Sequence, residues 1–476
     1  MNELEKNRIN NLIKLFCMIF IALLSYISYL QVFKSSHYAQ HPFNRRKYMI
    51  EEKIIRGSFF DRKGTILARS EIINEKQERI YPFNSLYSQV IGYNSRIYGN
   101  SLLEAALNDQ LLNLKDNQRR SAMQSSKSKY PSLKGNDVYL TIDNDLQLFV
   151  NRLMKGKKGA VVVLNPSTGE VLAMVSKPDF NPDSRFLKEN WQSIVEEEDA
   201  VLVPRALRGL YPPGSVFKVI VATGAVEKGL DRKIYKDQGK IVINGQEIRN
   251  AGSKAYGDID LARALEVSSN VVFSQLGVEI GGEFLIDLCE RFMINKTLPF
   301  ELNISTSRLN YKTMDKNDLA AVAIGQGRLL VTPFHMALIA SAIANDGIMQ
   351  KPFIVSKIVN TEGEVISSSI VENLARVMSK DVADKIENLM EQSVKYGTGR
   401  RALIPGVRVA GKTGTAQNEK SLIKKGGEHA WFIAFAPVEN PKISLCVLLE
   451  NEGQSGGSSA APIAKEIIQY YLNSSP

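Results

Sequence analysis

The sequence has few of the residues that most often signal metal binding, disulfide cross-links or histidine-based catalysis. Its 476 residues include 3 cysteines, 4 histidines and 2 tryptophans. Cys17, Cys289 and Cys446 form neither a Cys-x-x-Cys pair nor a disulfide framework, which argues against a structural zinc. Whether Cys289 and Cys446 pair depends on their distance in space, and we favour two buried thiols. No histidine lies in a nucleophile-elbow context, which disfavours a Ser-His-Asp hydrolase.

Long runs of one charge sign are also missing. Lys and Arg total 60 against 50 for Asp and Glu, and the net charge of +10 is spread along the chain. This balance permits contact with anionic lipid or cell-wall polymer but does not indicate nucleic-acid binding. The composition, 44% hydrophobic and 23% charged, is that of a globular protein, long enough for about two to four domains.

A single stretch is apolar enough to suggest a membrane span. Residues 15–33 are uncharged and close to the roughly 20 residues that a helix needs to cross a bilayer. No small-x-small cleavage site follows, so we predict a retained anchor rather than a signal peptide or a buried core helix. Lys6, Arg8 and Lys14 precede the stretch, which predicts that residues 1–14 are cytoplasmic and that the rest is extracytoplasmic.

The rest of the chain divides into two regions by composition. Residues 34–135 combine short strand-like pieces with polar turns and are predicted to form a pedestal. The end of this region, from Lys115 to Gly135, is charged, Ser-rich and aperiodic, as in an exposed linker. We therefore place a boundary near Asn136, with residues 136–476 forming a second domain.

Strand-like segments cluster at both ends of this second domain. Strands are predicted at 138–142, 160–164, 170–175, 407–415, 430–436 and 443–449, and helices at 146–153 and 460–472. An Asn-Pro-Ser-Thr-Gly turn joins 160–164 to 170–175, which predicts an antiparallel hairpin. The pattern from about 210 to about 393 is mainly helical. The sequence therefore predicts an α+β fold whose sheet assembles distant segments.

A candidate nucleophile and base occur together in Pro-Pro-Gly-Ser215-Val-Phe-Lys218. The prolines and glycine predict a helix that begins at or near Ser215, at the positive end of the helix dipole, with Lys218 on the same face. A lysine can take the proton of a serine hydroxyl once burial or a nearby cation lowers its pKa. Ser-x-x-Lys also occurs at Ser126 and Ser421, but in polar stretches. Taken alone, Ser215 could equally be a helix N-cap.

Two further motifs each occur once. Ser268-Ser-Asn270 falls between two helical runs and, taken alone, fits an interhelical turn. Lys412-Thr-Gly-Thr415 lies in a strand-like run, where Gly414 is unusual unless another molecule's backbone approaches closely. This pattern indicates a substrate laid along a sheet edge, although an irregular edge strand would also explain it.

Ser-x-x-Lys, Ser-x-Asn and Lys-Thr-Gly in this order form the signature of penicillin-interacting serine acyltransferases. The sequence resembles the class B penicillin-binding proteins, the monofunctional D,D-transpeptidases of peptidoglycan synthesis, and within them the A-type group of Gram-positive bacteria. Arg56 to Gly64 resembles the family's pedestal motif, with departures at Phe59 and Lys63. Further similar segments are Gly325-Gln-Gly327, Thr332-Pro333, Gly397-Thr-Gly399, Gly411-Lys-Thr-Gly-Thr-Ala-Gln417 and His429-Ala-Trp-Phe432.

The resemblance implies a fold and an activity. The expected fold is a penicillin-binding, serine-β-lactamase-like domain, an antiparallel sheet flanked by helices, on an elongated dimerisation-like pedestal with one transmembrane helix. The implied reaction cross-links stem peptides and releases a terminal D-Ala, and β-lactams would acylate the same serine. The implied partners are D-Ala-D-Ala stem peptides, β-lactams and a SEDS-family glycosyltransferase, with no metal or cofactor.

The resemblance also implies catalytic roles. Ser215 would attack the substrate carbonyl and Lys218 would accept its proton. Ser268 would relay a proton to the leaving amine, Asn270 would hold the stem peptide, and Lys412 would tune the local charge.

The Lys-Thr-Gly strand would bind substrate. Thr413, Gly414 and Thr415 would line the strand beside the terminal carboxylate, together with Lys412. Backbone N–H groups of Ser215 and Thr415 would form the oxyanion hole.

Two alternative enzymes share these motifs, and a third alternative, from a different class, is not an enzyme. A class A β-lactamase needs a Glu-x-x-Leu-Asn segment for deacylation, but Pro299-Phe-Glu-Leu-Asn303 has proline in place of the acid. A D,D-carboxypeptidase would share the same motifs. A non-catalytic membrane scaffold or sensor would not require all three motifs to be intact.

Overall fold

The computed structural model describes residues 3–34, 54–74, 76–114, 133–417 and 427–474. The α-helices are α1 (Glu3–Tyr29), α2 (Leu102–Ala106), α3 (Asn108–Leu111), α4 (Asn144–Leu153), α5 (Ser184–Glu196), α6 (Arg205–Arg208), α7 (Lys218–Glu227), α8 (Leu261–Glu266), α9 (Asn270–Ile280), α10 (Gly282–Arg291), α11 (Lys316–Ala323), α12 (Pro333–Ala344), α13 (Lys380–Lys395) and α14 (Ala460–Ser474). Single 3-10 turns lie at Asn84–Tyr87, Gly214–Phe217, Ala251–Ser253 and Arg400–Ala402.

The strands are numbered in the same way. They are β1 (Ile54–Ile55), β2 (Phe59–Phe60), β3 (Ile66–Ile73), β4 (Lys76–Ile80), β5 (Asn94–Ser95), β6 (Gly99–Asn100), β7 (Leu133–Lys134), β8 (Asp137–Leu140), β9 (Gly159–Leu164), β10 (Val171–Lys177), β11 (Tyr235–Asp237), β12 (Lys240–Ile243), β13 (Gln246–Arg249), β14 (Gly257–Ile259), β15 (Arg308–Leu309), β16 (Leu329–Leu330), β17 (Ile348–Gln350), β18 (Val355–Val359), β19 (Val365–Ser368), β20 (Asn373–Arg376), β21 (Ala410–Ala416), β22 (His429–Ala436) and β23 (Ile443–Leu449).

Helix α1 is long and apolar, and Leu30–Lys34 continues it in wider π-helical turns. The stretch from Lys6 to Lys34 has 29 residues, a mean hydropathy of 2.1 in its most apolar window, and no buried residue in that window. Of the described helices, it is the one long and apolar enough to cross a membrane. The stretch from Lys6 to Lys34 contains the predicted span at residues 15–33 and fits a membrane anchor.

A buried ion-pair cluster organises the region after the anchor. The Glu104 carboxylate accepts from Arg56 Nε at 2.6 Å and from Arg79 Nε at 2.7 Å, and all three side chains are buried. Burial alone would raise the pKa of Glu104, but the charges of Arg79 and Arg56 lower it below its usual value. Arg56, the first residue of the Arg56–Gly64 segment, therefore stabilises the interior of this region.

A six-stranded sheet links this region to the second half of the chain. Its strand order is β19-β18-β8-β2-β3-β4, and β2 pairs with β8 in parallel through Phe59 and Val138. The predicted boundary near Asn136 thus falls directly before a strand that both regions share. Most of the predicted linker, residues 115–132, lies outside the described residues.

The central sheet has five strands, in the order β10-β9-β23-β22-β21, and each adjacent pair is antiparallel. All residues of β9, β22 and β23 are buried, so these strands are covered on both faces. Helix α12 packs on one face, while α4 and α14 pack on the other. The predicted hairpin, the three C-terminal strands and the α+β class are confirmed.

The segment predicted as mainly helical, from about 210 to about 393, also contains short strands. Strands β12 and β13 form a hairpin whose turn residues, Asn244 and Gly245, have φ values of 43° and 83°. An Asn-Gly turn of this kind favours a tight hairpin, so the local sequence indicates a hairpin at this point. The two-residue strands β15 and β16 are too short to show any alternation of apolar and polar residues.

Candidate active site

Ser215 lies in the 3-10 turn Gly214–Phe217, and α7 begins at Lys218. The prediction that a helix begins at or near Ser215 is confirmed, with a tighter first turn. Gly214 has φ of +56°, and a Cβ there would lie 2.5 Å from the carbonyl oxygen of Thr415. Glycine is therefore required for the Ser215 turn to rest against β21. Ser215 itself is partly exposed.

Lys218 is fully buried and joins the Ser215 turn to the Ser268–Asn270 corner. Its Nζ donates to the Ser268 carbonyl at 2.8 Å and to Asn270 Oδ1 at 2.8 Å, and lies 3.3 Å from Ser268 Oγ. The Phe273 ring lies beside it, with its centroid 5.2 Å from Nζ. The structure thus brings together two of the predicted motifs at the lysine amine.

The Ser268–Asn270 corner connects α8 to α9, as predicted. Ser268 has φ of +59°, in the left-handed region, and both its carbonyl and its hydroxyl contact Lys218. Ser269 caps α9 because its side chain accepts from the Val272 N–H. The corner is therefore held by a helix cap on one side and by Lys218 on the other.

Lys412 brings the third motif to the same point. It is fully buried in β21, and its Nζ donates to Ser268 Oγ at 3.0 Å and to the Thr413 carbonyl at 2.9 Å. Strand β21 is the outer strand of the central sheet, and Thr415 is exposed on it. An open strand edge is a surface that an extended peptide can pair with.

Gly414 has a different role from the one that the sequence suggested. A Cβ at this position would lie 3.0 Å from the Pro213 carbonyl oxygen, from the Trp431 Cβ and from a Val216 methyl group. The close approach at Gly414 is therefore made by the Ser215 turn of the chain itself. The expectation that a substrate backbone explains this glycine is not supported, because the protein already fills that space.

The two buried lysines have lowered pKa values. The pKa of Lys218 lies well below its ordinary value. Burial is the largest cause of this lowering and the charge of Lys412 adds to it, while the charge of Asp237 opposes it. Burial lowers the pKa of Lys412 to about 7. The lowered pKa of Lys218 favours its unprotonated amine, the form that a general base requires.

Three residues that contact the motifs had no role assigned from the sequence. Thr398 Oγ1 lies 2.7 Å from Thr413 Oγ1, and the Thr398 N–H donates to the Glu266 carbonyl at 3.1 Å. Asp237 and Asn250 lie behind the Ser268–Asn270 corner. The Gly-Thr-Gly pattern around Thr398 was visible in the sequence, but no sequence pattern indicated Asp237 or Asn250.

Several polar residues outside the three motifs have structural contacts. Glu301 accepts from the backbone N–H groups of Ile354 and Val355 at 2.9–3.3 Å. His335 lies inside α12, where its Nε2 is 2.8 Å from the Phe292 carbonyl and burial lowers its pKa to about 4. Cys289 and Cys446 are both free and buried, as favoured above.

Comparison with known proteins agrees with this geometry. The family model "Penicillin binding protein transpeptidase domain" matches residues 159–469, and "Penicillin binding protein A dimerisation domain" matches residues 56–138. The peptidoglycan D,D-transpeptidase PbpA of Mycobacterium tuberculosis is 31% identical over 470 residues, which cover 94% of this chain and 95% of that protein.

Solved structures are similar over most of the chain. The ceftriaxone acyl-enzyme complex of penicillin-binding protein A from Mycobacterium tuberculosis has a TM-score of 0.82 and 30% identity, and covers 89% of this chain and 99% of that one. The D,D-transpeptidase domain of an Eggerthella lenta peptidoglycan glycosyltransferase has a TM-score of 0.78 and 33% identity, covering 88% and 99%.

The chain therefore belongs to the class B penicillin-binding proteins. The resemblance described from the motifs is confirmed, and the enzyme is a serine-type peptidoglycan D,D-transpeptidase.

Proposed function

We propose that Ser215 is the nucleophile that forms the acyl-enzyme during cross-linking of stem peptides. Its Oγ attacks the carbonyl between two terminal D-Ala residues, the C–N bond breaks, and the last D-Ala leaves with a proton on its amine. An amine of a neighbouring stem peptide then attacks the ester, forming the new amide and restoring the serine hydroxyl. Two moderate barriers thus replace one large barrier.

Lys218 is the general base in this proposal. The observation that supports it most strongly is the burial of its amine one helical turn after Ser215, in contact with the Ser268–Asn270 corner. A neutral amine at this position can accept the Ser215 proton. Ser268 lies within hydrogen-bond distance of both lysines, so it can pass a proton toward the leaving amine.

The edge of β21 binds the substrate. Lys412 supplies a positive charge for the terminal carboxylate, and the hydroxyls of Thr413 and Thr415 supply hydrogen-bond donors. The backbone N–H groups of Ser215 and Thr415 form the oxyanion hole, where a positioned donor typically lowers the barrier by roughly 3 to 4 kcal/mol. Asn270 holds the stem peptide, and Gly414 lets the Ser215 turn pack against the strand.

Penicillin labelling of the full-length protein in detergent tests the nucleophile. A β-lactam carries a strained amide that the same hydroxyl can open, and the resulting ester persists for many minutes if no base activates water. We expect covalent labelling by a fluorescent penicillin, an adduct on Ser215 by mass spectrometry, and no labelling of Ser215→Ala. Ser421→Ala, which alters another Ser-x-x-Lys sequence, is the matched control and keeps full labelling.

Either of two results would contradict the proposal. Unchanged labelling of Ser215→Ala would exclude Ser215 as the nucleophile. Turnover of penicillin within seconds would favour the β-lactamase alternative, since hydrolysis would then be fast.

We also propose a topology. The exposed apolar surface of α1 supports a single-pass anchor, with residues 34–135 as a pedestal and residues 136–476 as the transpeptidase domain outside the membrane. Protease added to intact spheroplasts should degrade the catalytic domain. Protection of this domain until the membrane is dissolved would reverse the orientation.

A SEDS-family glycosyltransferase is the proposed membrane partner, in contact with the anchor and the pedestal. The full chain should co-purify with such a protein from membranes. A matched chain in which an unrelated transmembrane helix replaces residues 3–34 should lose part of this association. Recovery of no such partner by the native chain would contradict the proposal.

A further inference from the structure

Asp237 is a buried carboxylate directly behind the Ser268–Asn270 corner. It lies at the end of β11 and has no exposed surface. Its Oδ2 accepts from the Ser269 hydroxyl at 2.6 Å, and its Oδ1 accepts from the Gly239 N–H at 2.8 Å. Asn250 Nδ2 donates to both carboxylate oxygens, at 2.8 and 2.9 Å. In the described part of the chain, no lysine or arginine lies within ion-pair distance of this carboxylate.

Asn250 connects Asp237 to the first turn of α9. Its Oδ1 accepts from the backbone N–H groups of Asn270 at 2.8 Å and Val271 at 3.1 Å. These groups have no partner within the helix, so Asn250 satisfies donors that the helix leaves open. Asn270 also accepts from Lys218, so Asn250 binds the backbone of the residue whose side chain contacts the lysine.

A buried carboxylate without a cationic partner is expensive, and a neutral residue could fill the same hydrogen-bonding role at lower cost. A carboxylate at this position therefore points to a use for its negative charge. The charged groups that act on Lys218 are Lys412, from β21, and Asp237, from β11. The Asp237 charge also acts on Tyr256: burial raises the pKa of the Tyr256 hydroxyl, the charge of Asp237 adds to this effect, and the charge of Arg263 opposes it.

We propose that Asp237 and Asn250 are positioning residues for the acylation step, which hold Ser268 and Asn270 against Lys218 and place one negative charge behind a site with two buried lysines. This inference rests on the proposed role of Lys218 as the base. The charge of Asp237 favours the protonated form of Lys218 and opposes the effects of burial and of Lys412. Asp237 would thus keep Lys218 basic enough to remove the Ser215 proton.

Asp237→Asn is the most direct test, because it removes the charge and keeps the shape. The second-order rate constant for acylation of the full-length protein by fluorescent penicillin is measured against pH. On the acidic side of the pH profile, the acylation rate rises as Lys218 loses its proton, and we call this rise the acidic limb. Without the Asp237 charge Lys218 loses its proton more easily, so the acidic limb should move to lower pH by about 0.5 unit or more. If the acidic limbs of Asp237→Asn and of the wild type superimpose, the proposal is overturned. This holds even if the variant has a lower melting temperature.

Ser269→Ala provides a second test, in case Asp237→Asn fails to fold. It removes the hydrogen bond between Asp237 and the corner but leaves the charge in place. We expect acylation to slow about tenfold, because the Ser268–Asn270 corner loses a buried anchor. The matched control is Ser379→Ala, which removes a serine cap of the same kind from α13, where Ser379 accepts from the Val382 N–H. Equal acylation by the two serine variants would overturn the positioning role.

Two further variants separate this inference from the proposed function. Asp315→Asn removes a carboxylate that caps α11. It should leave the acidic limb unmoved because Asp315 is not among the charges that act on Lys218, and asparagine caps a helix equally well. Labelling that persists in Ser215→Ala would refute the nucleophile assignment and, with it, the role of Asp237 in acylation. Ser215-dependent labelling with an unmoved acidic limb in Asp237→Asn would refute this inference alone.

Discussion

Lys218 and Lys412 converge on one oxygen atom, the hydroxyl of Ser268, with Nζ to Oγ distances of 3.3 and 3.0 Å. Two buried ammonium groups at one hydroxyl would repel each other strongly, because the surroundings screen charge poorly. The arrangement therefore favours one shared positive charge rather than two. It also allows Ser268 to receive a proton from one lysine and donate one to the substrate.

The acylation rate should have two limbs in its pH profile. It should rise as Lys218 loses its proton and becomes a base, and fall as Lys412 loses its charge, with its pKa of about 7 in the free enzyme. Lys412→Arg should acylate more slowly but lose the alkaline limb, because an arginine stays charged. Rate constants for penicillin acylation between about pH 5 and pH 10 test this. An alkaline limb that persists in Lys412→Arg would assign it to another group.

Folding stability should also increase with pH. Lys412 has a folded-state pKa of about 7 against an ordinary value of 10.5, so the unfolded chain binds more protons between these values. The free energy of unfolding should rise as the pH increases through this window, by up to about 1.4 kcal/mol per pH unit. It should fall by the same amount when the pH is brought back to 7. Urea midpoints at neutral and alkaline pH measure the effect. Lys412→Met should show a smaller rise, and an equal rise in both proteins would contradict the interpretation.

Thr398 should contribute to substrate binding through Thr413. The two hydroxyl oxygens lie 2.7 Å apart, so Thr398→Val leaves Thr413 without this partner at nearly unchanged volume. Losing one hydrogen bond of about 1 kcal/mol predicts roughly a fivefold drop in acylation efficiency. The control is Thr141→Val, which loses the bond from Thr141 Oγ1 to the Val171 carbonyl at 2.7 Å. The control should lose stability but not acylation efficiency, and equal rates for the two variants would argue against the role of Thr398.

Local sequence patterns were sufficient for part of this structure. The strand at 443–449 has the predicted bounds, because a continuous apolar run between turns indicates a buried strand. Ser215 and Lys218 are one turn apart, so their relation depends only on the helix between them. The sequence alone therefore predicts that this hydroxyl and this amine lie close together.

Contacts between distant segments could not be predicted in the same way. Asp237 meets Ser269 across 32 residues and Asn250 across 13 residues, through strands too short to have a periodic pattern. Gly414 is an exception within a strand-like run, but the reason for the glycine is the Ser215 turn packed against it, which depends on the assembled sheet. Which residue packs against a glycine depends on the tertiary structure, since the sequence shows only that a side chain is missing.

Gly325 should be essential for the position of the nucleophile. A Cβ at this residue would lie 1.9 Å from the carbonyl oxygen of Gly214, the residue before Ser215, and the backbone of Gly325 has φ of +76°. Gly325→Ala must therefore displace the Ser215 turn, and a displacement of about 1 Å can cost about 100-fold in rate.

Gly363→Ala is the matched control for backbone strain. Gly363 has φ of +86°, but a Cβ added there would meet no atom within 4 Å, so alanine costs only the left-handed conformation, about 1 kcal/mol. We expect both alanine variants to melt at lower temperature and only Gly325→Ala to lose penicillin acylation. Acylation of Gly325→Ala at the rate of the control would mean that the Ser215 turn tolerates the displacement, and the close contact with Gly214 would then have no role in placing the nucleophile.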